Sequence, residues 1–322
     1  MIQAFWMILG IAPLLSSAFA DSPASISHHS GIRTAQTLLA AGDYAQAFDR
    51  YHAAAVNDHH PLAQFSLAQF YQNGLGRAVD RAMACNWYEQ AAQNGIPAAQ
   101  HMTGLCYEAG MHRPADPAAA AAWFYKAAQA GHLSSYCHLG NLMMTGNGAA
   151  KDPNKALELC HSAALQGSVP AHIWMGKFYL YGDSSVRNPQ HAYKWFLAAA
   201  QKQSGEAFYH LGMMLDRGVM DSHDAAQSRL LFEQAAALKF IPAYFKAGTR
   251  FFAAEPDAET QRLSADNLAK AYLWISAAIE QSDDAEEVAA AGTIRQQILA
   301  VMPSTWLVEL DRKVARHIQE SN

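Results

Sequence analysis

Strong charge, basic clusters and catalytic motifs are what this sequence lacks. Only 16% of its residues are charged, with 23 Lys+Arg against 28 Asp+Glu and a formal net charge of -5. No run of Lys and Arg is present to neutralise a phosphate backbone, which excludes nucleic acid as a partner. The same absence speaks against an anionic membrane surface. H-E-x-x-H, C-x-x-C, G-x-S-x-G, S-x-x-K and phosphate loops do not occur, so the sequence nominates no catalytic residue and no cofactor. Histidine is plentiful, at 15, yet no two lie three or four residues apart, so no helix offers an i, i+4 metal pair and no metal site is expected. His28-His29 and His59-His60 read as solvated loop histidines. After the N-terminus there is no second long apolar run, so the mature chain is expected to carry no transmembrane anchor.

Among the first twenty residues, apolar ones dominate from Ile2 to Leu15, and the stretch ends in Ala18-Phe19-Ala20. This small-residue ending has the form of a secretory cleavage site, with Asp21 as the mature start, although Lys and Arg are missing ahead of the apolar stretch. A periplasmic or secreted chain is therefore expected.

A fixed offset then dominates the sequence. Moving 36 positions carries Ala63 onto Ala99, Tyr71 onto Tyr107, Gly74 onto Gly110, Asp80 onto Asp116, Trp87 onto Trp123 and Gly95 onto Gly131. Three further shifts recover Gly140, Gly146, Asp152, Gly176, Tyr179, Asn188, Trp195, Gly212, Gly218 and Asp224. A further unit starts at Ala243 and Gly248 but needs an enlarged polar loop, within residues 253–268, before Trp274 and Ala277-Ala278. In each unit an apolar helix of about twelve residues ends at Gly. A second helix is announced by Asp or Asn, often followed by Pro, as in Asp116-Pro117, Asp152-Pro153 and Asn188-Pro189. Trp at the twenty-seventh place and the Ala-Ala pair after it are expected to face inward. One such pair cannot cover its own apolar face, whereas stacked neighbours can.

The pattern A…LG…Y..G.G…D…A..W(Y/F)..AA..G resembles the Sel-one-like repeat family, relatives of the tetratricopeptide repeats. The resemblance implies an all-α fold, a right-handed superhelical solenoid of antiparallel helix pairs, and a protein-binding scaffold of the bacterial envelope rather than an enzyme. On this reading the organisation is a signal peptide (1–20), a flexible N-terminus (21–30), a capping helix pair (31–60), six repeats (61–96, 97–132, 133–168, 169–204, 205–240 and 241–283) and C-terminal capping helices (284–322). Other functions kept open are a cell-wall-active or β-lactam-binding enzyme and a secreted factor that binds a host protein.

Two expectations concern particular side chains. Cys85 and Cys106 fall at matching heights on antiparallel neighbouring helices, and so do Cys137 and Cys160. In an oxidising compartment the pairs are therefore Cys85–Cys106 and Cys137–Cys160. In related solenoids the first helices line a concave wall. The residues assigned here to a partner-binding groove are Phe65, Gln69, Gln72, His101, Leu105, Glu108, Asn141, Met144, Ile173, Trp174, Lys177, Tyr209, Met213 and Asp216. The partner is a protein or peptide.

Overall fold

The computed structural model describes residues 23–219 and 224–319, with side chains from residue 31 onward. The expected signal peptide lies outside the described residues. All regular structure among them is helical. The chain divides into two compact units, at residues 1–130 and 131–322.

The first unit holds α1 (Pro23–Ala40), α2 (Tyr44–Asn57), α3 (Pro61–Asn73), α4 (Arg81–Gln93), α5 (Pro97–Ala109) and α6 (Pro117–Gln129). The second holds α7 (Leu133–Thr145), α8 (Pro153–Leu165), α9 (Val169–Tyr181), α10 (Pro189–Ala200), α11 (Gly205–Asp216), α12 (Ala225–Ala237), α13 (Pro242–Phe252), α14 (Ala265–Gln281), α15 (Ala285–Val301) and α16 (Leu307–Gln319). Within each unit the helices pack in chain order, pair upon pair, as in an α/α solenoid, until α16, which packs back on α14. Helix α1 begins at Pro23, so residues 23–30 are helical rather than the flexible arm expected from sequence. Proline at the first helical position suits that start, because it has no N–H to leave unsatisfied.

Local chemistry explains the register. Counting the first residue of a repeat as place 1, the Asp or Asn at place 20 caps the second helix. Asp80, Asp116, Asp152, Asn188 and Asp224 accept hydrogen bonds from the backbone N–H three residues on, at 2.8–3.0 Å. The same residue's own N–H donates to the carbonyl at place 11. These bonds are Asp80 to Tyr71 (2.9 Å), Asp116 to Tyr107 (2.9 Å), Asp152 to Met143 (2.9 Å) and Asn188 to Tyr179 (2.8 Å). One residue thus both starts the second helix and ties the loop back to the end of the first. The longer link at residues 253–264, between α13 and α14, replaces that short loop.

The tightest contact inside a repeat joins place 8 of the first helix to place 28 of the second. A methyl group built on Gly104 would sit 2.6 Å from the Phe124 ring; on Gly176, 2.5 Å from Phe196; on Gly212, 2.9 Å from Phe232; and on Gly248, 2.6 Å from Ile275. Phe124, Phe196, Phe232 and Ile275 are all fully buried. In these four repeats glycine at place 8 is therefore required by the side chain that lies on it; in the repeat at 61–96 a buried alanine, Ala68, holds that place. Place 27, where the sequence pointed to an inward Trp, is only half-buried at Trp87, Trp123, Leu159, Trp195 and Leu231, and is buried at Trp274. Both places are apolar, so the repeat pattern alone did not show which of the two faces the neighbouring helix.

The core is a chain of clusters. One lies among α1, α2 and α3, around Tyr51, Leu67 and Phe70. Another joins α4 to α5 around Tyr88, Cys85 and Cys106. In the second unit, clusters centre on Cys160 and Met175, on Phe196 and Leu211, and, most extensively, on Tyr244, Phe251, Trp274 and Ile275, where α15 and α16 close the stack. Tyr272 donates to Asp311 of α16 at 2.7 Å, holding that final helix against α14. Among the described residues no helix is long and apolar enough to cross a membrane.

Candidate functional site

The residues expected to line a groove divide into two classes. Those at place 5 pack on place 28 of their own repeat: Phe65 on Tyr88 (ring centroids 5.5 Å), His101 on Phe124 (5.5 Å) and Tyr209 on Phe232 (5.8 Å). Ile173 is buried in the same cluster as Phe196. Place 5 lies three residues before place 8, about 60° round the helix, and so shares its inward face. Ile173 and Met213 are each only 7% exposed, and they leave the set of wall residues.

The second class stays at or near the surface. In the first unit Gln69, Leu105 and Glu108 are half-buried and Gln72 is exposed. The Gln72 side-chain oxygen accepts from the Tyr88 hydroxyl at 2.6 Å. In the second unit this class bridges successive first helices. The Trp174 indole N–H on α9 donates to Asn141 Oδ1 on α7 at 2.8 Å, and its ring stacks on Phe178 at 5.4 Å and 9°. Lys177 of α9 forms an ion pair with Glu206 of α11. Arg250 of α13 holds Asp216 of α11 at 2.6 Å. Met144, three residues after Asn141, is half-buried.

Glu206 is the electrostatic centre of this row. His210 Nε2 lies 3.7 Å from its carboxylate, while His210 Nδ1 is 3.3 Å from the Tyr181 hydroxyl. Hydrogen bonding from His210, and then from Lys177 together with its charge, holds the Glu206 carboxyl down at about 2 against the opposing effect of burial. The row offers a stacked aromatic pair, exposed amide and ammonium groups and partly neutralised carboxylates. Such a surface can take up backbone and side-chain polar groups of another chain.

The cysteines fall into the two expected pairs at disulfide distance. Cys85 and Cys106 have Cα atoms 5.8 Å apart and join α4 to α5; Cys137 and Cys160, 4.7 Å apart, join α7 to α8. Beside the first pair is a group that the sequence search passed over. His112 follows α5, and its side chain is only 2% exposed. Its ring meets Tyr107 edge-on at 5.5 Å. Glu89 accepts from the Tyr107 hydroxyl (2.9 Å) and from Arg113 (2.6 Å). Among the described residues, Cys85, Cys106 and His112 form the one group whose ligand atoms lie close enough together to hold a metal ion, all within 4.8 Å. A search for ligands one helical turn apart could not find it, because its members come from two helices and a loop.

Known proteins share this architecture. No curated protein matches the chain. A solved Sel1 repeat protein from Oxalobacter formigenes is similar over 78% of this chain and 100% of its own, at 24% identity and a TM-score of 0.62. The protective antigen c5321 of uropathogenic Escherichia coli, with an SLR fold, is similar over 91% of this chain and 76% of its own, at 17% identity and a TM-score of 0.51. The Sel1 repeat matches five times, at residues 61–96, 97–132, 133–168, 169–204 and 205–240. These matches are consecutive, cover more than half of the chain and carry the capping Asp or Asn and the buried place 28 in the same register each time, so the chain belongs to the Sel1 repeat family.

Proposed function

We propose that this protein is a non-enzymatic scaffold of the bacterial envelope, which binds a protein or peptide segment along the first helices of residues 133–252. Sel1 repeats are in general platforms for protein–protein interaction. The observation that carries the reading is the position of Trp174. It is a half-buried aromatic, stacked on Phe178 and fixed by Asn141, between the exposed Asn141 and Lys177 side chains. Large aromatic rings held rigid beside polar groups are the usual anchors of protein interfaces, because little side-chain freedom is lost when they are covered. Export is supported by the signal-peptide pattern of residues 1–20 and by two cysteine pairs at disulfide distance, which persist in oxidising compartments. The sixth repeat, at 241–283, and the capping helices on either side complete the proposed organisation.

A photo-crosslinking residue placed at Lys177 tests this in intact cells. A discrete adduct is expected there, and none from the same residue at Leu197, which is 40% exposed on the second helix α10. Trp174→Ala should abolish the Lys177 adduct. Equal labelling at both positions, or no adduct at either, would overturn the proposal.

A further inference from the structure

We propose that Cys85, Cys106 and His112 form a metal site when the Cys85–Cys106 bond is reduced, and that it takes a thiophilic divalent cation of the zinc type. Three observations converge. The two sulfurs and one imidazole nitrogen already lie within 4.8 Å of one another. The His112 side chain is almost wholly buried, yet neither of its ring nitrogens makes a hydrogen bond. A buried imidazole whose nitrogens make no hydrogen bond is costly, and a cation would satisfy one of them. Glu89 Oε2 stands 3.7 Å from His112 Nε2; Arg113 donates to that oxygen and Tyr107 to Oε1, which fixes the carboxylate. That sets a carboxylate on the side of the ring from which it can orient a ligating histidine.

The ligand set selects the cation. Two thiolates and an imidazole suit zinc and its neighbours and are foreign to calcium or magnesium, which take oxygen. Charge balances as well: two thiolates and Glu89 against Arg113 leave two negative charges for a divalent ion. A surface cavity of about 330 Å³ is lined by Glu89 and Arg113, the residues behind His112, together with Met83, Asn86, Trp87 and Gln90. In the reaction a dithiol reductant breaks the sulfur–sulfur bond, delivers two electrons and two protons, and closes to its own disulfide. The cation then displaces the two thiol protons. The same residues thus close α4 onto α5 either through a covalent bond or through a metal ion. Among the described residues no histidine nitrogen lies within 4.8 Å of both sulfurs of the Cys137–Cys160 pair.

The test is a titration with Co2+ of chain reduced anaerobically with a phosphine. Cys137 and Cys160 are replaced by Ser so that only one pair reports, and helicity is checked by circular dichroism. One Co2+ per chain should bind with thiolate-to-cobalt charge-transfer absorption, while the oxidised chain should show none. Zn2+ should displace the Co2+. His112→Asn should raise the Kd by about ten-fold or more, the scale on which metal-site residues act. If the double Ser variant loses its helicity, the difference between the otherwise unaltered reduced chain and His112→Asn carries the test. Absence of the charge-transfer band, or a smaller effect of His112→Asn, would overturn the inference.

Discussion

The repeats at 97–132 and 133–168 fill the same two places with different chemistry. In the first, His101 at place 5 and Phe124 at place 28 pack ring against ring over Gly104. In the second, Cys137 and Cys160 occupy those places, and Gly140 lies under the Cys160 sulfur and the Ala156 carbonyl instead of a ring. Other repeats keep the aromatic solution, with Phe196 and Phe232. A covalent link and a buried ring are therefore alternative means of holding the two helices of a repeat together. Cys85–Cys106 has a different task, because it joins the second helix of one repeat to the first helix of the next.

The comparison can be broken at either end. Phe124→Ala should cost most, about 3–5 kcal/mol, because the cavity left over Gly104 cannot collapse onto a side chain that is not there. A small shift of the urea midpoint would mean that the ring is not what closes the repeat. Replacing Cys137 and Cys160 together by Ala should cost about 3 kcal/mol under oxidising conditions, as expected for a link across 23 residues, and nothing comparable under reduction. Cys137→Ala with Cys160→Phe sharpens the point: a ring over Gly140 should recover part of that loss, and equal or lower stability would show that the two solutions are not interchangeable.

Smaller effects follow from the glycines. Gly104→Ala should destabilise by about 1–3 kcal/mol through overpacking against Phe124, despite the better helix propensity of Ala. Gly292→Ala, in α15 with nothing within 4 Å of the added methyl, should instead stabilise by about 0.5–1 kcal/mol. The same sign for both would refute the packing role given to place 8. The turn that closes each repeat offers a gentler contrast. Gly95, Gly131 and Gly167 have φ of 84°, whereas Gln203 and Lys239 occupy that turn at 60° and 64°. Gln203→Gly should raise stability by about 0.5–1 kcal/mol, since a side chain is strained there. The equivalent Gly95→Ala should lower it.

The smallest effect concerns pH. The Glu206 carboxyl is held at about 2, below its ordinary 4.5, so its contribution is present above 4.5 and is lost as pH falls from there towards 2. Glu206→Gln should therefore lower Tm at pH 6 and leave it unchanged near pH 2. A constant difference across that range would assign the effect to shape rather than charge.

Much of the fold was legible because its signals are local. A capping Asp, a glycine turn and a 36-residue offset can each be read without knowing any partner helix. The cysteine pairs were legible for the same reason, once register fixed their heights. What escaped depended on which helix lies opposite. Places 27 and 28 are both apolar, and only the neighbouring glycine shows which of them is inside. Place 5 read as wall although it lies over the second helix, so Ile173 is core and His101 and Tyr209 pack inward. Asn141, Trp174 and Lys177 were picked out as surface residues, but their links to one another and to Glu206 run between repeats and leave no periodic trace. His112 sits in a loop with no landmark at all.

The glycine at place 8 and the residue it receives at place 28 belong to a single repeat. Copying one 36-residue segment copies both sides of that fit together, so a chain of this kind can lengthen by duplication without designing a new interior. The surface positions of the new copy are then free to diverge, while the matched interior pair comes ready-made.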